Sequence, residues 1–360
     1  MKLKTILFIT LTAMAAATTR AQVRWVKADH DFGAFSEDIG AVDAVFEMVN
    51  DSPKAVRILD ARATCGCTQP EIPRGDIAPG DTARLKVTYL ASGRPGRFNK
   101  NIYVRTSDNP SEQKTLTVRG TVIGASATLA SRFPVTAGPL RLRTTTVAFG
   151  DVVRGKQKTV FVEGYNQSSD TLEPAVSGLP PYIDLSITPQ RVAPGEQVQF
   201  GFTLQTLRNP QWGISSEKFS LSPDPALTDT AEMDFFTIIN EDFSQLTPGQ
   251  RLNAPVASLD PARVNLGELE AVSAPVKVEF QVKNTGRSPL MIRRVQVIDP
   301  AADDLSVSTT KVKPGKSAKI TLTINPAKAR TDFINARVTI ITNDPDNSLL
   351  AARITAEVKR

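Results

Sequence analysis

Thr115-Leu116-Thr117-Val118-Arg119-Gly120 alternates polar and apolar side chains, so an extended chain turns Leu116 and Val118 to one face and Thr115, Thr117 and Arg119 to the other. The same half-buried pattern returns at Ile102 and Val104, at Leu85, Val87 and Tyr89, and at Ile320, Leu322 and Ile324. Between such runs stand Gly, Pro, Asn and Asp turns, and almost no segment has a helical period. Short strands at this density denote a β-sandwich.

The strands belong to a repeat. Phe32-Gly33, Phe149-Gly150 and Leu266-Gly267 are spaced by 117 residues and again by 117, and Asn50, Asn166 and Asn284 follow each glycine by 16 or 17. Pro79-Gly80, Pro194-Gly195 and Pro314-Gly315 come next, then the turns Asp108-Asn109-Pro110, Asp224-Pro225 and Asp344-Pro345. Four landmarks in register three times predict an all-β chain of three tandem immunoglobulin-like β-sandwich domains at residues 22–124, 144–240 and 260–360. The strand grammar lapses at 125–143 and 241–259, where Pro134, Pro139, Pro248 and Pro255 favour extended, semi-rigid linkers and a beaded rod.

Lys2 and Lys4 precede an apolar stretch from Ile6 to Ala17, and Ala21 with Thr19 two positions earlier supplies a cleavage site, so residues 1–21 read as a signal peptide. Gln22 is then the mature N-terminus, with a cut after Ala17 as the alternative. The residue after the favoured cut is not cysteine, and no later segment reaches the about 18 apolar residues of a membrane span. The expectation is an exported protein of the periplasm or cell surface of a Gram-negative bacterium, without a transmembrane anchor. Losing Lys2, Lys4 and Arg20 reduces the net charge from +6 to +3, leaving 40 basic residues against 37 acidic. With no run of five basic residues, nucleic acid is not an expected partner.

The two cysteines, Cys65 and Cys67, flank Gly66 and are the one chemically loaded spot. On a plain strand, residues i and i+2 share a face with their Cα atoms near the upper limit for a disulfide, and Gly66 permits the bending needed. In an oxidising envelope one outcome is a disulfide whose tight, strained ring is easily reduced. Two buried free thiols, a redox pair, or a half-site for Cu(I) or zinc completed by His30, Met48, an acid or a second molecule are the alternatives. Cys65 and Cys67 are thus the candidate redox or disulfide residues. No catalytic, cofactor-binding or metal residue is assigned, and no cofactor.

Other motifs are weaker. His30 is the sole histidine, and no serine lies in a nucleophile elbow. Gly150 to Lys156 matches a phosphate-binding loop up to its last position, where Gln157 replaces the magnesium-binding hydroxyl. Asp303-Asp304, Asp344 and Asp346 lack calcium-loop spacing. Asp81-Thr82-Ala83, Asp170-Thr171-Leu172 and Asp229-Thr230-Ala231 fit a short O-glycosylation triplet. Asn50-Asp51-Ser52 and Asn166-Gln167-Ser168 fit the N-glycosylation sequon, but both asparagines are repeat landmarks suited to turns.

Asp31-Phe32-Gly33, Asn50, Thr64-Cys65-Gly66-Cys67-Thr68, Pro79-Gly80 and Gly93-Arg94-Pro95-Gly96-Arg97-Phe98 occur in this order over residues 28–121. This stretch resembles an exported bacterial domain-of-unknown-function family bearing a CGCT signature. That family is similar in turn to the immunoglobulin-like domains of the ASPM, SPD-2 and Hydin group and of major sperm protein. The resemblance implies a seven-stranded sandwich and an interaction role, with no activity attached. The second and third repeats have Gly178-Leu179-Pro180 and Asp299-Pro300 at about the place of the cysteines, so the Cys block is not needed to hold the fold. The functional expectation is a non-catalytic interaction or scaffold protein of the bacterial envelope whose partner is a protein or envelope component. The alternative is a redox-responsive or metal-handling module using the Cys-Gly-Cys pair.

Overall fold

Alternation in the sequence becomes alternation in burial: Leu85, Val87, Ile320, Leu322 and Ile324 are fully buried while their immediate neighbours face outward or are half-buried. The computed structural model describes residues 23–360; the expected signal peptide, its cleavage site and Gln22 lie outside the described residues.

In the first sandwich, one sheet runs β1 (Val23–Trp25), β3 (Ala41–Asn50), β6 (Thr82–Leu90), β5 (Thr68–Glu71). The facing sheet runs β2 (Asp29–Ser36), β8 (Lys114–Ile123), β7 (Gly96–Thr106), β4 (Ile58–Ala63). After helix α1 (Ser126–Arg132), the second sandwich has one sheet in the order β14 (Ile183–Thr188), β15 (Gln197–Gln205), β12 (Gln157–Asn166), β10 (Leu140–Leu142), β9 (Val135–Ala137). Its other sheet runs β11 (Thr146–Val153), β17 (Ala231–Asn240), β16 (Gly213–Ser222), β13 (Ala175–Ser177). After α2 (Pro248–Leu252), the third pairs β18 (Ala257–Asp260), β20 (Val276–Asn284), β24 (Ser317–Ile324) and β22 (Ala302–Val307) in one sheet. Its second sheet is β19 (Arg263–Glu270), β26 (Leu349–Lys359), β25 (Phe333–Thr342), β21 (Leu290–Ile298), β23 (Lys311–Val312). Each sandwich closes over its own core, built around Phe46 and Leu116, Phe200 and Phe235, and Phe280 and Ile354 respectively. The chain is therefore three tandem β-sandwiches of one topology.

The landmarks of the repeat are its fasteners. Gly33, Gly150 and Gly267, at φ 67, 61 and 68°, sit where the register of the parallel pairs β2–β8, β11–β17 and β19–β26 shifts. A bulge with positive φ is a conformation that glycine adopts without strain. Asn50, Asn166 and Asn284 are fully buried, and each side-chain amide donates to two carbonyls: of Lys54 and Ile77, of Asp170 and Val192, of Ser288 and Val312. Their backbone carbonyls accept from Gly80, Gly195 and Gly315 in turn. A buried polar group satisfied on all sides fixes one arrangement and is costly to replace. The asparagines of the two sequons are thus interior ties.

The segments expected as extended linkers are folded. Leu129 and Phe133 lie one helical turn apart on and just after α1, and they bury against Ile123 of β8 and Tyr165 of β12. Residues 135–142 form a hairpin that joins the second sandwich through the pairing of β10 with β12. At the other joint Arg294 donates to the carbonyls of Trp212 and Ile214 at 2.9 and 2.7 Å, and Arg293 forms a two-pronged pair with Glu241 at 2.7 and 3.0 Å. Arg154 and Arg293 lie over the Trp212 ring at 4.5 and 5.0 Å, so a cation–π stack spans the joint. The beaded rod is corrected to sandwiches seated on one another. The apolar and Arg-mediated contacts at each joint overcome the extended preference of the prolines.

Candidate functional site

Cys65 and Cys67 occupy the turn by which the chain leaves β4 in one sheet and enters β5 in the other. The amide of Thr68 donates to the carbonyl of Cys65, closing a β-turn, and the two sulfurs face each other with Cα atoms 5.3 Å apart. Gly66 is exposed at the tip. Both flanks are pinned: Thr64 N donates to Asn101 O of β7, and Leu90 N of β6 donates to Cys67 O. The sulfurs differ in setting, since Cys67 is buried at 8% exposure in the core and Cys65 is half-buried. The Thr68 hydroxyl, itself buried, stands 3.6 Å from Cys65 Sγ and 3.8 Å from Cys67 Sγ. Residues 178–182 and 299–301 make the same sheet-to-sheet crossing in the other sandwiches, without cysteine.

A second candidate emerges only in three dimensions. A groove of about 960 Å³ opens beside β1 at the β7–β8 turn, lined by Arg24, Trp25, Asp51, Asp108, Glu112 and Lys114. Arg24 pairs with Asp51 at 2.8 Å, and Glu112 accepts from Asn109. The groove residues Trp25 and Asp108 each carry a buried atom without a hydrogen-bond partner, Nε1 and Oδ1, as does Arg105 of β7 at Nε. In the other repeats the aspartate of this turn is satisfied. Asp224 accepts from Glu173 N and Ala226 N, and Asp344 from Ala257 N, Asp346 N and Asn347 N.

The remaining motifs resolve into structure. His30 packs edge-on against Phe32 with ring centres 4.5 Å apart. The segment Gly150 to Lys156 is the end of β11 and the turn that crosses to β12 in the other sheet, with no helix following. Its amides are already used: Arg154 N donates to Asn240 O, Gly155 N to Thr206 Oγ1, and Lys156 N to Val153 O. A phosphate-binding loop requires those groups to point at the ligand, so this segment cannot cradle one. Asp303 pairs with Lys328 and Asp346 with Arg251, while Asp344 is buried among backbone amides. Among the described residues no three His, Cys, Asp or Glu side chains gather to hold a metal ion. No helix of the described residues is long and apolar enough to cross a membrane.

The most perturbed ionisable group lies outside both candidates. Burial, and then the neighbouring Glu217 carboxylate that accepts from its hydroxyl, push the Tyr182 phenol well above its ordinary range. Its hydroxyl donates to Glu217 inside the second sandwich.

The sequence model of a family described as protein of unknown function (DUF1573) matches residues 23–122 and 258–358. The second match falls on the third sandwich, so family likeness does not depend on the cysteines. No curated protein matches the chain. Among solved structures, a protein of unknown function from Porphyromonas gingivalis W83 is 23% identical, over 61% of this chain and 100% of that one, with a TM-score of 0.47. A PapD-like domain of human CEP192 is 13% identical over 34% of this chain and 100% of its own, TM-score 0.25. Titin domains I67–I69 are 10% identical over 94% of this chain and 99% of theirs, TM-score 0.31.

Proposed function

Because the chain belongs to the DUF1573 family, to which no activity is attached, we propose that it is a non-catalytic interaction or scaffold protein that binds a protein or envelope component at the groove of its first sandwich. The observation that carries this reading is the groove itself, which opens beside the edge strand β1 and whose lining includes Trp25 and Asp108, each with a buried polar atom that has no partner. A buried polar group without a partner costs about 1–3 kcal/mol, and a side-chain rearrangement on ligand binding that pairs it recovers that cost. The backbone of a protein segment offers both a carbonyl and an amide.

The protein is exported to the periplasm or surface of a Gram-negative bacterium after removal of residues 1–21. Its first domain belongs to the branch bearing the CGCT signature, related to the ASPM, SPD-2, Hydin and major sperm protein type. The domain division runs 22–124, 144–240 and 260–360, with β9 and β10 added to the middle domain and β18 to the last. The joints support a scaffold role, since they hold successive sandwiches in fixed relation.

The test places a photo-crosslinking residue at Glu112 or Lys114 in living cells, with the same residue at Glu279 on the third sandwich as control. Discrete adducts from the groove positions, lost on Trp25→Ala, are expected. Adducts equal at all three positions, or none, would overturn the reading.

A further inference from the structure

The Cys turn makes the same sheet-to-sheet crossing that the cysteine-free turns of the other two sandwiches make. Its flanks are held by hydrogen bonds to β6 and β7 that do not involve sulfur. Breaking a bond between the sulfurs therefore leaves both anchors in place. What the two cysteines add is chemistry, and their surroundings give that chemistry a direction.

We propose that Cys65 and Cys67 form a reversible thiol–disulfide exchange site in which Cys65 receives the incoming thiolate and Cys67 is the leaving group. Exchange requires a thiolate to reach one sulfur along the axis of the bond. Cys65 is half-exposed beside the exposed Gly66, whereas Cys67 is buried against the core. Access therefore selects Cys65. The sulfur that departs carries negative charge into a buried position, where a hydrogen-bond donor is worth most. The Thr68 hydroxyl, on a strand paired with β6, lies 3.6 Å from Cys65 Sγ and 3.8 Å from Cys67 Sγ, so it reaches both and serves as that donor by turning to the departing sulfur.

The reductant is a thiol, either a small one or one on a dithiol protein. Its thiolate attacks Cys65 Sγ, the bond between the two cysteines breaks, and the electron pair leaves on Cys67 as a thiolate. The product is a mixed disulfide at Cys65. A second thiolate attacks the reductant's sulfur in that mixed disulfide, which releases the oxidised reductant and a Cys65 thiolate. Two electrons pass in all, and two protons from solvent complete the thiols. The reverse sequence reoxidises the pair. This proposal is independent of the groove, which lies at the Val104 and Thr106 end of β7, whereas the Cys turn is tied to Asn101.

The probe is glutathione, added to the full mature protein isolated without reductant, with acid quenching at intervals and peptide mapping of adducts. The expected results are a transient glutathione adduct on Cys65, two free thiols afterwards, and an unchanged circular dichroism spectrum. Thr68→Val should slow the first step about fivefold, the rate equivalent of one hydrogen bond, and Thr68→Ser should restore it. An adduct chiefly on Cys67 would overturn the assigned direction. Thiols that already alkylate before reductant is added, or loss of the folded spectrum on reduction, would overturn the exchange site itself.

Discussion

The hydroxyl of Tyr165, at the end of a strand in the second sandwich, accepts a hydrogen bond of 2.9 Å from the amide of Gly124, the residue with which the first sandwich hands the chain on. The contact is buried, so removing the hydroxyl strands an amide with no alternative partner. Tyr165→Phe should destabilise the joint by about 1–3 kcal/mol. Hydrogen exchange at Gly124 should accelerate while the cores around Phe46 and Phe200 keep their protection. Uniform acceleration through both sandwiches would mean that the two unfold as one unit.

Phe133 is 1% exposed and fills the cluster of Leu129, Ile123 and Tyr165. Truncating a buried phenylalanine costs about 3–5 kcal/mol, which exceeds what one short helix can hold against. Wild-type protein should resist limited proteolysis between residues 125 and 143, and Phe133→Ala should open that segment first. Early cutting there in the wild type would show that the helix does not seat.

Acid should loosen the same joint. The Ser126 hydroxyl and amide, with a smaller contribution from Ser36, hold the Asp38 carboxyl below its ordinary value of 3.8. A group depressed on folding contributes stability that is fully present above its unfolded value and is lost as pH falls through its folded value. The joint should therefore be insensitive to pH above about 4 and weaken below it through this residue. Asp38→Asn should be weaker at neutral pH and flatten that acid dependence, as read from exchange rates at Ala125 and Ser126.

Gly213 tests the second joint. It has a φ of 71°, and a Cβ there would run into the Ile341 side chain of the third sandwich. Gly213→Ala combines backbone strain of about 1–3 kcal/mol with a clash across the joint. It should shift the fluorescence of Trp212, whose ring sits between Arg154 and Arg293. Unchanged emission with unchanged melting would show that the sandwiches do not meet at this point.

The fold was legible because its fasteners are residue types with one suitable chemistry at one place. A buried Asn that donates twice and a Gly at a bulge leave a signature with every repeat, as Asn50, Asn166 and Asn284 do. The crossing turn was legible as well, since Cys65-Gly66-Cys67, Gly178-Leu179-Pro180 and Asp299-Pro300 begin 15, 12 and 15 residues after Asn50, Asn166 and Asn284. Helix α1 was not, because Leu129 and Phe133 form a single i, i+4 pair, and one turn of helix has no period to detect. The groove was invisible for another reason: it draws on β1, the turn after Asn50, and the β7–β8 hairpin. Locally Asp108 differs from Asp224 and Asp344 only by the Asn109 inserted before the proline, which does not tell whether a backbone amide reaches the carboxylate.

The Cys pair permits a last prediction that separates a chemical site from a structural staple. A disulfide stabilises chiefly by reducing the entropy of the unfolded chain, and the effect grows with the loop closed. Here the sequence separation is 2, so the ring restricts almost nothing that the chain would otherwise explore. The loop-entropy relation gives about 1.5 kcal/mol at most for so short a closure, against about 4.7 kcal/mol for a loop of 100 residues. The hydrogen bonds from Thr64 and Leu90 that hold either flank survive the change. Cys65→Ser with Cys67→Ser should accordingly lower the melting of the first sandwich by only a few degrees and leave the other two untouched. A loss large enough to unfold the first sandwich at room temperature would instead make the pair a staple, and the cysteine-free turns at residues 178–182 and 299–301 would then need a compensating contact that the first sandwich lacks.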